Sequence, residues 1–285
     1  MFKKYKPFFK AGMINTLAYR AALLTWLLVT FFQIACVVFL WIAVYSNAPG
    51  GVESAIINGF TLKEIIVYFV FTNILSFTCF PGETLWSIME DIKKGTIALS
   101  FTKPISYRLK LLFTTYGMAL MPLLIFGLPL FTISYTLFAI FGFITFTSIW
   151  STLFGILMFV VLTFLAITLF DSIDYFFGIL CFYTTAGWGL NLVKTTISNL
   201  LGGSLLPLAF FKFGSFDASI IFNYLPFAGL VQNPIICLIN TYSSTGDYLY
   251  AIHLMGLSIV WIIIMEIVNK LLFNHASKKV TVQGG

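Results

Sequence analysis

Leu111 to Phe170 reads LLFTTYGMALMPLLIFGLPLFTISYTLFAIFGFITFTSIWSTLFGILMFVVLTFLAITLF and contains no Asp, Glu, Lys or Arg. At 1.5 Å per residue a single helix of that length would run about 90 Å. The hydrocarbon core of a bilayer is about 30 Å thick. The stretch must therefore fold back, and it predicts two membrane helices at 110–133 and 146–169. Ser134, Thr136 and Gly142 lie in the hairpin between them. Pro122 and Pro129 predict kinks in the first helix, because proline lacks the backbone N–H that a helix interior uses.

The rest of the chain agrees with this class. Of its 285 residues, 60% are hydrophobic and 9% charged, against about 25% charged in a soluble domain. Mean hydropathy is +0.99. The apolar runs are near-continuous and lack the alternating segments of roughly ten residues that build a membrane barrel. We read a single all-α integral membrane domain over 1–285. Further spans fall at 21–45, 62–80, 176–193 and 250–273, six in all.

A basic leader (Lys3, Lys4, Lys6, Lys10, Arg20) precedes the first span. That span exceeds the ~7–15 residues of a signal-peptide core, so it reads as uncleaved. Phe9, Met13 and Leu17 recur every four residues and predict a short helix lying flat at the interface; residues 1–7 read equally well as a disordered tail. Between 197 and 241 the apolar sequence is interrupted by Gly202-Gly203, Pro207, Pro226 and Asn233-Pro234. Half-helices that enter and return fit such a region, since irregular backbone at membrane depth survives only against protein or a watery cavity.

Placing both termini in the cytoplasm puts 13 of the 16 Lys and Arg residues on the inner side, as the positive-inside rule requires. Lys63, Lys194 and Lys212 remain outside. The net charge of +6 then matches anionic inner-leaflet lipid rather than nucleic acid.

One charged island interrupts the apolar sequence, Pro81 to Lys110, PGETLWSIMEDIKKGTIALSFTKPISYRLK. Leu85, Ile88, Met89 and Ile92 fall on one helical stripe. Ser87, Glu90, Asp91 and Lys94 lie opposite, with Glu90 and Lys94 spaced to pair. Gly95 stands where a helix-ending glycine belongs. Ile97, Leu99 and Phe101 alternate with small or polar residues and predict an extended piece or an interfacial contact. Pro104 biases Lys103 away from helix. An inner-leaflet helix would explain the stripe. A docking helix for a cytosolic partner also explains why the connection is so long.

No GxxxxGK[ST] phosphate loop is present, and Gly202-Gly203-Ser204 is too short to be one. His253 and His275 are far apart, and Cys36, Cys79, Cys181 and Cys237 show no metal or redox spacing. The chain reads as no enzyme. Asp171 and Asp174 predict a water-exposed cytoplasmic turn. Lys194 can snorkel from the outer end of the fifth span, and Glu266 has Lys270 at i+4 as a default partner. Phe69, Phe77, Tyr183 and Trp188 are candidates to line a path for an amphiphilic substrate, against a background of ordinary packing.

The run Asp91-Ile92-Lys93-Lys94-Gly95-Thr96-Ile97-Ala98-Leu99, with Lys103-Pro104-Ile105, resembles the segment after the second span of type-2 (export-class) ABC transporter permeases. Tyr224-Leu225-Pro226-Phe227, Asn233-Pro234 and Val282-Gln283-Gly284-Gly285 are similar to an uncharacterised bacterial six-span branch. The resemblance implies that 81–109 is a coupling segment, with Glu90, Asp91, Lys93, Lys94 and Gly95 meeting a cytosolic ATPase and Pro104 fixing the re-entry angle. Phe9 to Thr16 would be a second contact and 197–241 an outer gate. It also implies two ATPase subunits carrying ATP and Mg, no cofactor on this chain, and a second six-span permease, a paralogue rather than a copy. The implied function is export of an amphiphilic or hydrophobic substrate across the bacterial cytoplasmic membrane. An ion- or proton-coupled carrier would need inverted repeats and deep ionisable residues. A non-transporting assembly factor or intramembrane enzyme would need a catalytic cluster or a large extramembrane domain. The residues offer neither set clearly.

Overall fold

The computed structural model describes residues 2–102, 104–144, 148–184, 186–213, 216–239 and 245–279. The regular structure of these residues is helical, joined by short loops, apart from one minimal hairpin. In order come α1 (Lys6–Ala18), α2 (Arg20–Ser46), the single turn α3 (Gly51–Ser54), α4 (Leu62–Cys79), α5 (Thr84–Lys93), α6 (Ile97–Thr102) and α7 (Tyr107–Pro122). A π-turn over Leu123–Gly127 joins α7 to α8 (Leu128–Ile140). Then follow α9 (Ile149–Leu180), α10 (Gly187–Leu201), the hairpin β1 (Lys212–Phe213) and β2 (Phe216–Asp217), α11 (Ala218–Asn223), α12 (Gln232–Ile239) and α13 (Thr245–Ala276).

Among the described residues five helical stretches are long and apolar enough to cross a membrane: Arg20–Ser46, Leu62–Lys93, Tyr107–Ile140, Ile149–Leu180 and Asp247–Ala276. The predicted span 176–193 is not a helix of its own. Its first part is the end of α9, which carries on past Asp171 and Asp174 to Leu180; its second part belongs to α10. The carboxylates do not end α9 because they face partners rather than water. With 15 residues, α10 is about 22 Å long, short of a ~30 Å core. It still joins the two ends of the bundle, from Gly187 beside Met89 to Gly203 beside Tyr68.

α4 forms the centre. Ile65, Tyr68, Phe71, Ile74 and Leu75 are fully buried, as expected of a helix that is apolar on all sides. A capping box starts it, with Thr61 and Glu64 satisfying each other's backbone N–H groups. α2 leans on α4 only near its far end, where Trp41 stacks on Phe69 at 5.8 Å and Tyr45 donates to the Phe60 carbonyl at 2.6 Å.

α1 forms as a helix, with Phe9 and Met13 partly buried and Leu17 exposed. It is pressed onto α7 backbone to backbone. A Cβ on Gly117 would stand 2.0 Å from the Phe9 carbonyl oxygen, and one on Gly12 would stand 2.3 Å from that of Thr114. The Tyr5 hydroxyl accepts from the Ser106 N–H at 3.0 Å. Residues 97–102, predicted extended, are helical in α6. Ile97 is buried while Leu99 is exposed, so the alternation does not mark a strand face. Pro122 is met by the π-turn that follows it, with Leu128 N–H reaching back to the Leu123 carbonyl. From 197 to 239 every element is shorter than a span, as the Gly and Pro breaks imply. Lys103 and Val282–Gly285 lie outside the described residues.

Candidate functional site

α5 runs from Thr84 to Lys93 with Lys94 as its C-cap, and Gly95 follows at φ +69°, the left-handed geometry that favours glycine. Its apolar stripe is buried against α9 and α10. Ile88 fills a notch at Gly178, where a Cβ would lie 2.5 Å from Ile88 Cδ1. Met89 covers Gly187, with its Sδ 2.2 Å from the equivalent point. The polar face points away. Glu90 and Lys94 pair across one helical turn on the exposed side, and the hydrogen bond from Lys94 to Glu90 holds the lysine pKa above its ordinary value.

The first N–H groups of a helix have no partner within it. On α5 they find α9. The Leu85 N–H donates to Asp174 Oδ2 at 3.2 Å, and the Thr84 hydroxyl donates to Asp171 Oδ1 at 2.5 Å. Spaced three residues apart, the two carboxylates lie on one face of α9. They also favour the positive end of the α5 dipole. Both are about 1% exposed. The sequence reading of Asp171 and Asp174 as a water-exposed turn is thus corrected.

Each carboxylate has a cation. Lys194 of α10, itself 3% exposed, donates to Asp174 Oδ1 at 2.5 Å. It does not snorkel outward: its ammonium lies at the island end of the bundle, which leaves Lys63 and Lys212 at the other. Arg108 of α7 pairs with Asp171 through Nη1. The same guanidinium grips Glu266 of α13, with Nε–Oε1 at 3.0 Å and Nη2–Oε1 at 2.6 Å. Glu266 is therefore spent on Arg108, not on Lys270. Ser172 accepts from Arg108 at 3.0 Å, Thr115 donates to Asp171 at 2.7 Å, and Tyr175 lies under the guanidinium at 4.8 Å. Five helices meet here: α5, α7, α9, α10 and α13.

Burial of an unpaired charge is strongly unfavourable. Two cations against three carboxylates, with hydroxyl and amide donors filling the remaining lone pairs, keep the cluster tolerable. Such an arrangement ties the five helices together, because moving one of them separates buried opposite charges.

The island residues divide. Glu90, Lys93, Lys94 and Gly95 share one exposed corner of α5, and Pro104 occupies the exposed turn before α7. Asp91 turns inward. It accepts from Thr96 at 2.7 Å and from Tyr107 at 2.8 Å, with Lys110 at 3.9 Å. The four aromatic candidates do not converge. Phe69 is buried beside Trp41, Phe77 packs half-buried on Phe126 at 6.0 Å, and Tyr183 and Trp188 are exposed around the α9–α10 turn. The sequence reading did not assemble Arg108, Asp171, Asp174, Lys194 and Glu266. The available signal was five charges of opposing sign at the margins of apolar helices, where isolated charge is costly.

The family model of the ABC-2 family transporter protein matches residues 31–284. The chain belongs to this family. It is an ABC transporter permease, a multi-pass membrane protein of a kind that works with ATPase subunits. No curated protein and no solved structure matches the chain. In the permease, α5 with its exposed corner stands after the second long helix, and the buried cluster lies directly beneath it.

Proposed function

We propose that the permease is one half of an ATP-driven exporter of amphiphilic or hydrophobic compounds in the bacterial cytoplasmic membrane, with both termini cytoplasmic. Two separate ATPase subunits carry ATP and Mg; this chain hydrolyses nothing and binds no cofactor. A second six-span permease, a paralogue, completes the pore. The observation that carries the reading is the seating of the α5 N-terminus on Asp171 and Asp174.

An ATPase docks on Glu90, Lys93, Lys94 and Gly95, with Pro104 holding the turn beside them. When the ATPases close on ATP, they push α5. The push reaches α9 through Thr84–Asp171, Leu85–Asp174 and the Ile88–Gly178 contact. Lys194 carries it to α10, and Arg108 with Glu266 carries it to α7 and α13. Over 32 residues, α9 extends about 48 Å and packs on α12 at the opposite end of the bundle. There Gln232 accepts from Leu208 N–H at 2.7 Å and donates to Asn223 at 2.5 Å. Tyr68 donates to the Gly203 carbonyl at 2.7 Å. This knot of short elements is the outer gate.

The buried ionisable groups could suit a proton-coupled carrier. Each carboxylate is already engaged by a cation and further donors, which favours a mechanical brace.

Purification in mild detergent tests the assembly. Co-purification of an ATPase and a second permease supports it. A lone chain that transports in liposomes under an ion gradient, without ATP, overturns it.

A further inference from the structure

A groove of about 840 Å³ runs between α7–α8 and α9, lined among others by Phe113, Leu120, Phe131, Val160 and Phe164. Its walls are apolar. The Thr132 and Thr136 hydroxyls of its lining bond to carbonyls of their own helix at 2.9 Å, and the Thr163 hydroxyl is buried out of reach, so they offer a ligand little. An apolar cavity does not hold water, and one of this size takes a ligand of several carbon–carbon bonds. The α9 wall, Ile156 to Ile167, covers about 16 Å and the α7–α8 wall, Leu109 to Thr136, about 40 Å, so the groove is long enough for an extended acyl chain within the ~30 Å hydrocarbon core.

At the island end the groove closes on Phe9 of α1 and Leu109 of α7. Lys10 follows Phe9, and Lys6 stands one turn earlier. Both are exposed, and among the described residues neither forms an ion pair. No Asp or Glu precedes Glu53. The Gly12–Gly117 contact fixes α1 in place, so the lysines are held beside the mouth. We propose that the groove binds one acyl chain of an anionic phospholipid, whose phosphate sits at Lys6 and Lys10. An apolar trough that ends at a helix carrying two exposed lysines and no acid fits that amphiphile and disfavours a zwitterionic one.

The test uses native mass spectrometry of the purified full-length complex, delipidated and re-exposed to equal phosphatidylglycerol and phosphatidylcholine of matched chains. One phosphatidylglycerol per chain is expected to be retained. Each lysine should contribute roughly a factor of five to the preference. Lys6→Gln with Lys10→Gln brings the two lipids to parity without emptying the groove. Val160→Trp, or Leu120→Trp from the facing wall, empties it for both lipids in protein that keeps its thermal midpoint. Equal retention of the two lipids by the wild type overturns the proposal, as does lipid binding untouched by either tryptophan. Disulfide trapping of Val160→Cys to a neighbouring permease chain would make the groove a protein interface and also overturn it.

Discussion

Lys194 and Asp174 meet at 2.5 Å with both side chains almost fully buried, which joins the short helix α10 to the long helix α9. The same carboxylate takes the Leu85 N–H of α5. Three helices are thus tied at one residue, and α10 is anchored by charge as well as by packing.

Removing the cation leaves a buried carboxylate unbalanced. Lys194→Met should destabilise the permease by about 3–5 kcal/mol. Adding Asp174→Asn should recover most of that loss, since an amide oxygen still accepts from Leu85 while no charge remains to balance. Denaturant unfolding in detergent micelles compares the two variants; equal stability of single and double variants would refute the pairing.

α1 and α7 touch by backbone, so nothing flexible can yield there. Gly117→Ala should therefore cost more than the ~1 kcal/mol that alanine gains over glycine in a helix, for a net loss of about 1–3 kcal/mol by overpacking. Limited proteolysis should cut first around α1. Protection equal to wild type would mean that α1 shifts freely.

At Gly178 the obstacle is the tip of a side chain. Gly178→Ala should impair ATPase stimulation by lifting α5 from α9, and Ile88→Val, which removes the clashing Cδ1, should restore it in the double variant. A steady-state ATPase assay with the assembled transporter measures this. Failure of the second substitution to rescue would place the effect elsewhere.

Neighbouring acids on α5 should behave differently. Glu90→Lys loses one solvent-screened, exposed ion pair, so insertion and thermal midpoint should hold while ATPase stimulation falls. Asp91→Ala strands the Tyr107 and Thr96 hydroxyls and should lower stability by about 1–3 kcal/mol. A stable Asp91→Ala protein that fails only to stimulate the ATPase would instead make Asp91 a docking residue.

Much of this architecture is legible in the chain. The charge-free stretch from Leu111 to Phe170 requires a helical hairpin, and the Leu85–Ile88–Met89–Ile92 stripe with Gly95 gives α5 to within a residue at each end. The errors cluster where a residue's meaning depends on a distant one. Asp171 and Asp174 look like a boundary because acids usually face water. Lys194 looks like an outer lysine because nothing in the apolar sequence marks the turn after Leu180, and α10 begins only at Gly187. Gly12 and Gly117 are unremarkable until two backbones are known to cross there.

By itself the sequence determined the class of the protein, the existence of its long apolar helices and the two faces of α5. These follow from composition and from periodicities of a few residues, which are local and survive any packing. Only the tertiary structure decided that α9 runs unbroken through two aspartates, that α10 holds a buried lysine, and that both converge under α5. The free energy of a charge in an apolar chain is set by what stands across from it. For Asp171 that partner is 63 residues away, at Arg108.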